Sequence, residues 1–81
     1  MARIVDEAQN VVGEKIKKYR MERKLSQKDL SEKLEVYAIY ICRGSISRIE
    51  SHERTVTDFE LRAMAKVLRV SIEELYEEKG I

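Results

Sequence analysis

The stretch Cys42-Arg43-Gly44-Ser45-Ile46-Ser47-Arg48-Ile49-Glu50 concentrates the side chains best suited to recognition chemistry. Read as a short helix, it has two faces. Ile46 and Ile49 lie three apart and turn inward, whereas Arg43 with Ser47 and Gly44 with Arg48 sit four apart and cluster on the outer surface. Long arginines and small hydroxyls, with no carboxylate before Glu50, suit the base edges of a major groove. There Arg donates two bonds to guanine, and Ser donates to or accepts from several bases. Gly44 has no side chain, so a duplex can approach its backbone closely. A helix face meant only for water more often interleaves Glu and Lys.

Other chemistries have less support. Cys42 is the one cysteine, which excludes an internal disulfide and fits a reducing, cytoplasmic setting. It is expected partly buried at the start of the helix, where a helix N-terminus lowers a thiol pKa. His52 is the one histidine, and with a lone cysteine ten residues away it makes no metal site. It reads as a helix-end residue. No phosphate-cradling glycine loop, metal cluster or nucleophile–base pair is present in the sequence, so neither an enzyme nor a cofactor is expected. The first residues carry Asp6 and Glu7 and do not read as a signal peptide, and nowhere do eighteen apolar residues run together.

The formal charge of +1 hides an uneven distribution. Residues 13–48 hold ten basic and five acidic side chains, while residues 49–81 hold five basic and eight acidic ones. A polyanion would be held by the middle of the chain. On charge alone, a plain solvated face built by Lys15, Lys17, Lys18, Arg23 and Lys24 explains the pattern equally well.

The elements that must position these residues are helical. The chain has 81 residues, no proline and three glycines, enough for one all-α domain and too few for two. Five helices are expected, at about 11–24, 27–36, 43–51, 58–68 and 72–78. Val12, Ile16 and Tyr19 give the first its buried stripe, with Arg20 beside them. Leu30 and Leu34 do the same for the second, which Ser26 caps with Asp29 at its third position. Thr57-Asp58-Phe59-Glu60 and Ser71-Ile72-Glu73-Glu74 are capping boxes. The first opens a helix burying Leu61, Met64, Ala65 and Leu68, and the second a short helix expected to bury Ile72 and Leu75. By propensity the run Val36-Tyr37-Ala38-Ile39-Tyr40-Ile41 reads as a strand, but it has no partner in the sequence. It is read instead as an extra turn on the second helix followed by an extended connector, with Tyr37 and Tyr40 expected to pack. The domain is placed at residues 12–78. Residues 1–11 form an N-terminal extension, whose apolar Ile4, Val5, Ala8 and Val11, with Val12, either extend helix one and serve self-association or belong to a loosely ordered tail, the ordered reading being preferred, and 79–81 form a short tail.

Taken together, Gly13-Glu14-Lys15-Ile16-Lys17-Lys18-Tyr19-Arg20, Leu25-Ser26-Gln27-Lys28-Asp29-Leu30 and Ile46-Ser47-Arg48-Ile49-Glu50 resemble the phage-repressor family of Cro/cI or Xre-type helix-turn-helix regulators. Ala65-Lys66-Val67-Leu68-Arg69-Val70-Ser71 with Leu75 resembles that family's closing helices. The likeness covers roughly residues 12 to 76. It implies a compact, five-helix, lambda-repressor-like DNA-binding domain. It also implies base contacts from Arg43, Gly44, Ser45, Ser47 and Arg48, and phosphate contacts from Ser26, Gln27 and Arg54. Arg20 and Glu50 match a charge pair that ties the first helix to the recognition helix. The sequence departs from the pattern at Ser31, where a small alanine is usual, at Glu35, where a turn glycine is frequent, and at His52, where a glycine often ends the recognition helix. The connector before the recognition helix is about five residues longer than the usual 3–4-residue turn.

The leading expectation is therefore a sequence-specific, double-stranded-DNA-binding transcriptional regulator, a repressor that reads the major groove with its third helix as a homodimer. The alternative is a protein-interaction module of the same fold, such as an antitoxin or anti-repressor holding a protein partner. The near-neutral total charge and the apolar 36–41 segment motivate it.

Overall fold

The computed structural model describes residues 11–76. The expected extension at 1–11 falls, but for Val11 at the start of the first helix, outside the described residues, as do the last two positions of the expected final helix and the tail. Among the described residues the chain forms α1 (Val11–Glu22), α2 (Gln27–Leu34), a 3-10 turn (Glu35–Tyr37), α3 (Arg43–Glu50), α4 (Asp58–Leu68) and α5 (Ile72–Tyr76). No helix among them is long and apolar enough to cross a membrane.

The helices start where side chains supply the first turn with acceptors. Ser26 Oγ accepts from the Asp29 N–H at 2.9 Å while the Asp29 carboxylate accepts from the Ser26 N–H at 2.9 Å. Those bonds hold the Asp29 carboxyl below its usual range, the Ser26 N–H contributing most. Thr57 with Glu60 and Ser71 with Glu74 repeat the reciprocal pattern for α4 and α5. Each cap is worth about 1 kcal/mol.

The helices stop by a device the composition conceals. Lys24, Ala38, His52 and Arg69 all have left-handed backbones, with φ of 58°, 61°, 71° and 60°. In each case the next residue's N–H reaches back five positions: Leu25 to Arg20 O, Ile39 to Leu34 O, Glu53 to Arg48 O and Val70 to Ala65 O. These are Schellman closures, in which glycine usually takes the left-handed place. Here non-glycine residues carry the strain, and partly buried Leu25, Ile39 and Val70 follow three of them to pack against the core.

All five helices contribute to one core: Val12, Ile16 and Tyr19 from α1, Leu30 and Leu34 from α2, and Ile46 and Ile49 from α3. Leu61, Ala63, Met64, Ala65 and Leu68 from α4 and Leu75 from α5 complete it, with Ile41 and Val56 from the connections. Ile72 does not join them. It is 36% exposed, because a helix of five residues has room for one inward position per turn and Leu75 occupies it. Tyr37 and Tyr40 also depart from expectation, at 42% and 77% exposed. The connector that carries them runs over the surface, where Ile39 and Ile41 alone turn inward.

Candidate nucleic-acid interface

The candidate surface begins with α3. Ile46 and Ile49 are fully buried and seat this helix on the core, which leaves Arg43, Gly44, Ser47 and Arg48 exposed and Ser45 half-buried. Gly44 is not demanded by the protein's own packing. A Cβ there would meet only Cys42 Sγ, at 3.9 Å, an ordinary contact. Glycine inside a helix costs up to about 1 kcal/mol relative to alanine, so its presence on this face has no internal justification.

Cys42 is the N-cap of α3 and offers no side-chain cap bond. Contrary to expectation it is exposed, because the chain is still extended there and only Ile41 faces inward. Its sulfur lies 3.5 Å from Ser45 Oγ, and the Ser45 hydroxyl followed by the Ser45 and Gly44 amides pull its pKa below the ordinary thiol value.

A charged pair anchors the other end of α3. Arg20 Nε donates to Glu50 Oε2 at 2.7 Å and Nη2 donates to Oε1 at 3.0 Å, with the two residues 9% and 8% exposed. Arg20 Nη1 also donates to Leu25 O at 2.8 Å, tying in the end of α1. Gln27, the first residue of α2, donates its amide to Glu50 Oε1 at 3.0 Å. One carboxylate thus fixes α1, the start of α2 and the end of α3 relative to each other.

Above this network lies a cleft lined by Lys17, Arg20, Met21, Gln27, Ser47, Glu50 and Ser51. Its floor is the neutralised Arg20–Glu50 pair, and its rim carries an ammonium, an amide and two hydroxyls. Lys17 and Ser51 were not singled out from the sequence. Lys17 was one of several lysines on α1, and only the packing of α1 beside α3 sets it apart. Ser26 is exposed, with its hydroxyl engaged in the α2 cap.

The long connector is held by one of the departures noted in the sequence. Ser31 Oγ donates to Ile41 O at 2.6 Å, so the hydroxyl that replaces a small alanine satisfies a carbonyl the extended chain would otherwise leave open. Glu35 is the C-cap of α2 in a right-handed conformation and leads directly into the 3-10 turn, so the left-handed stop falls three residues later at Ala38. His52 takes the left-handed place after α3, and its Nε2 lies 3.3 Å from Glu14 Oε2 on α1.

Arg54 is drawn toward its own protein. Nη2 and Nη1 donate to the two Glu60 oxygens at 2.9 and 3.2 Å, and Nη1 also reaches Thr55 O at 3.2 Å. Burial pushes the Glu60 carboxyl up, but Arg54 and the Thr57 N–H outweigh it and leave it below its usual range. The same pairing, opposed by burial, raises the Arg54 pKa. Nε and one hydrogen on Nη2 remain for an outside acceptor at most.

Among the described residues, five helices with α2 packed against α3, and the polar face of α3 exposed, define a helix-turn-helix domain. A helix-turn-helix family model matches residues 16–75, and the chain belongs to that family, the Xre, lambda-repressor-like class of DNA-binding transcription regulators. Among solved structures it is similar to the N-terminal DNA-binding domain of SinR from Bacillus subtilis. The two share 28% identity and a TM-score of 0.74, over 90% of this chain and 100% of that one. No curated protein sequence matches significantly.

Proposed function

We propose that this protein is a sequence-specific regulator of transcription, a repressor acting in the cytoplasm as a homodimer, whose α3 lies in the major groove of double-stranded DNA. The observation that carries the reading is α3 itself: a helix clamped to the core by Ile46, Ile49 and the Glu50 network, with two arginines and two serines on its outer side. Arg43, Ser45, Ser47 and Arg48 supply the donors for base edges, and Gly44 admits the duplex backbone. Ser26 and Gln27 at the start of α2, joined by Lys17 and Ser51 from the cleft rim, take phosphates and set the register. Arg54 contributes to phosphate binding with the nitrogens that Glu60 leaves free.

The test is selection of bound duplexes from a random pool at two salt concentrations. A preferred sequence should emerge at both, with affinity falling as salt rises. Arg43→Ala with Arg48→Ala should relax base preference, each lost bidentate contact removing about 1–3 kcal/mol of discrimination. Lys17→Ala should weaken all duplexes alike and lower the salt slope by about one. If the arginine double variant selects the same sequence as tightly, α3 is not the reader.

A second reading, a protein-interaction module, is favoured by Val36 and Tyr40, 81% and 77% exposed on the connector. It predicts a stoichiometric protein partner and no salt-sensitive duplex binding.

A further inference from the structure

Between the connector and α4 runs a shallow groove lined by Tyr37, Ile39, Phe59, Arg62, Ala63 and Lys66. The Phe59 ring on α4 and the Tyr37 ring on the connector side are 54% and 42% exposed. Arg62 and Lys66 rise from α4 beside them, exposed and one helical turn apart. Lys66 Nζ sits 5.6 Å from the centre of the Tyr37 ring, and Arg62 has no hydrogen-bond or ion-pair partner among the described residues. Single exposed rings are common on a protein surface, but two of them sharing a groove with two cations mark an interaction surface.

The lining sets the chemistry of the occupant. Apolar side chains are needed to cover the rings, and carboxylates one turn apart are needed to meet cations one turn apart. A helix lying alongside α4 brings both sets, since residues three or four apart share a face. A nucleic-acid strand fits less well. Its bases can stack on the rings, but its phosphates would meet Glu35, at the start of the turn that carries Tyr37, and Asp58, next to Phe59. The least exposed lining residues, Ile39 and Ala63, are aliphatic and suit the side chains of a protein better than a base.

We infer that this groove docks an acidic amphipathic helix of another protein, its apolar residues against Tyr37 and Phe59 and two of its carboxylates against Arg62 and Lys66. The docking site rests on the second reading of function, a protein partner, and gives that partner a chemistry and a place. It shares no residue with α3 or with the cleft beside it, so one molecule can hold a duplex and a protein together. The lengthened connector supplies one wall through Tyr37 and Ile39, and the extra residues thereby create the groove as well as spacing α3 from α2.

The test is a selection from a displayed library of short helical peptides with randomised outer positions. It uses the full chain without DNA and is counter-selected on the double variant Arg62→Glu with Lys66→Glu. Enriched peptides should carry an apolar face and a pair of Asp or Glu one helical turn apart. In fluorescence anisotropy an enriched peptide should bind the wild type more weakly as salt rises, and its affinity for the variant should fall at least about tenfold. The same peptide with its acids changed to Lys should prefer the variant, because the reversed charges meet again. Amide chemical shifts on binding should change at residues 37–39 and 59–66 and not along α3. Circular dichroism and melting equal to wild type show that the exposed substitutions leave the fold intact. Peptides that bind wild type and variant equally would place the protein-binding surface elsewhere, which overturns the groove and keeps the second reading. No enrichment at all would also overturn the groove, and the second reading then stands or falls on a stoichiometric partner. An oligothymidylate that shifts the same amides and fails on the variant would overturn it too, by giving the groove to single-stranded nucleic acid.

Discussion

Replacing Glu50 by alanine should cost more stability than any other single surface-proximal charge change in this domain. The carboxylate accepts three bonds, at 2.7 and 3.0 Å from Arg20 and at 3.0 Å from Gln27, in a place where it and Arg20 are less than a tenth exposed. In Glu50→Ala the Arg20 guanidinium keeps only Leu25 O, at 2.8 Å, and stays under the protein with its charge uncompensated. Breaking a buried pair in this way costs about 3–5 kcal/mol. Small domains hold about 5–15 kcal/mol in total, so a large share of the folding free energy goes. The corresponding fall in Tm is roughly 12–40 °C for a chain of this size. Glu60→Ala is the internal comparison: its pair with Arg54 is equally bidentate, at 2.9 and 3.2 Å, but Arg54 is a third exposed. The pairing there should contribute about 1 kcal/mol or less, with the loss of the α4 cap adding about as much again. Urea and thermal unfolding followed by helical circular dichroism measure both. A third variant, Arg20→Met with Glu50→Leu, removes both charges together and should recover most of the loss, since apolar replacement of a buried pair is often neutral. If Glu50→Ala loses under about 1 kcal/mol, water reaches the pair and the clamp argument for α3 fails. If the double variant is as unstable as the single one, the cost lies in packing and not in the orphaned charge.

Three further outcomes follow from other parts of the molecule. Gly44→Ala should stabilise the fold by up to about 1 kcal/mol while weakening duplex binding, because the site is open within the protein; a stable variant that binds normally removes the close-approach role. Ala38→Gly relieves a left-handed backbone at φ 61° and should raise stability by about 0.5–1 kcal/mol in denaturant melts. Burial raises the Glu60 carboxyl, but the bonds from Arg54 and the Thr57 N–H outweigh it and hold it below the ordinary carboxylate range. Its contribution to stability is therefore present above the ordinary carboxylate range and is lost as pH falls through the lowered folded value, so Glu60→Gln should flatten the acid limb of the stability–pH curve.

What the sequence determined by itself was local. Capping boxes at Thr57-Glu60 and Ser71-Glu74, the Ser26 cap and the alternation of Ile46 and Ile49 with the α3 polar face rest on bonds and spacings within four residues. Such features need no knowledge of the rest of the chain. The extended connector was legible for a related reason: a β-branched run without a partner strand has few other choices. Resemblance suggested that Arg20 and Glu50 meet, but the bidentate geometry and the Gln27 bond join residues 30 and 23 positions apart. Tertiary packing alone decided these, together with the cleft that selects Lys17 from its neighbouring lysines and the pairing of Arg54 with Glu60. It also decided which apolar residues stay outside. Tyr40, Phe59 and Ile72 look like core residues by type, yet among the described residues the volume between the short helices is already filled by fifteen buried apolar side chains, and surplus apolar groups are left on the surface. The left-handed stops at Lys24, Ala38, His52 and Arg69 were hidden because glycine, their usual sign, is missing there. Only the closing of each helix onto the core makes a strained φ the lower-energy choice.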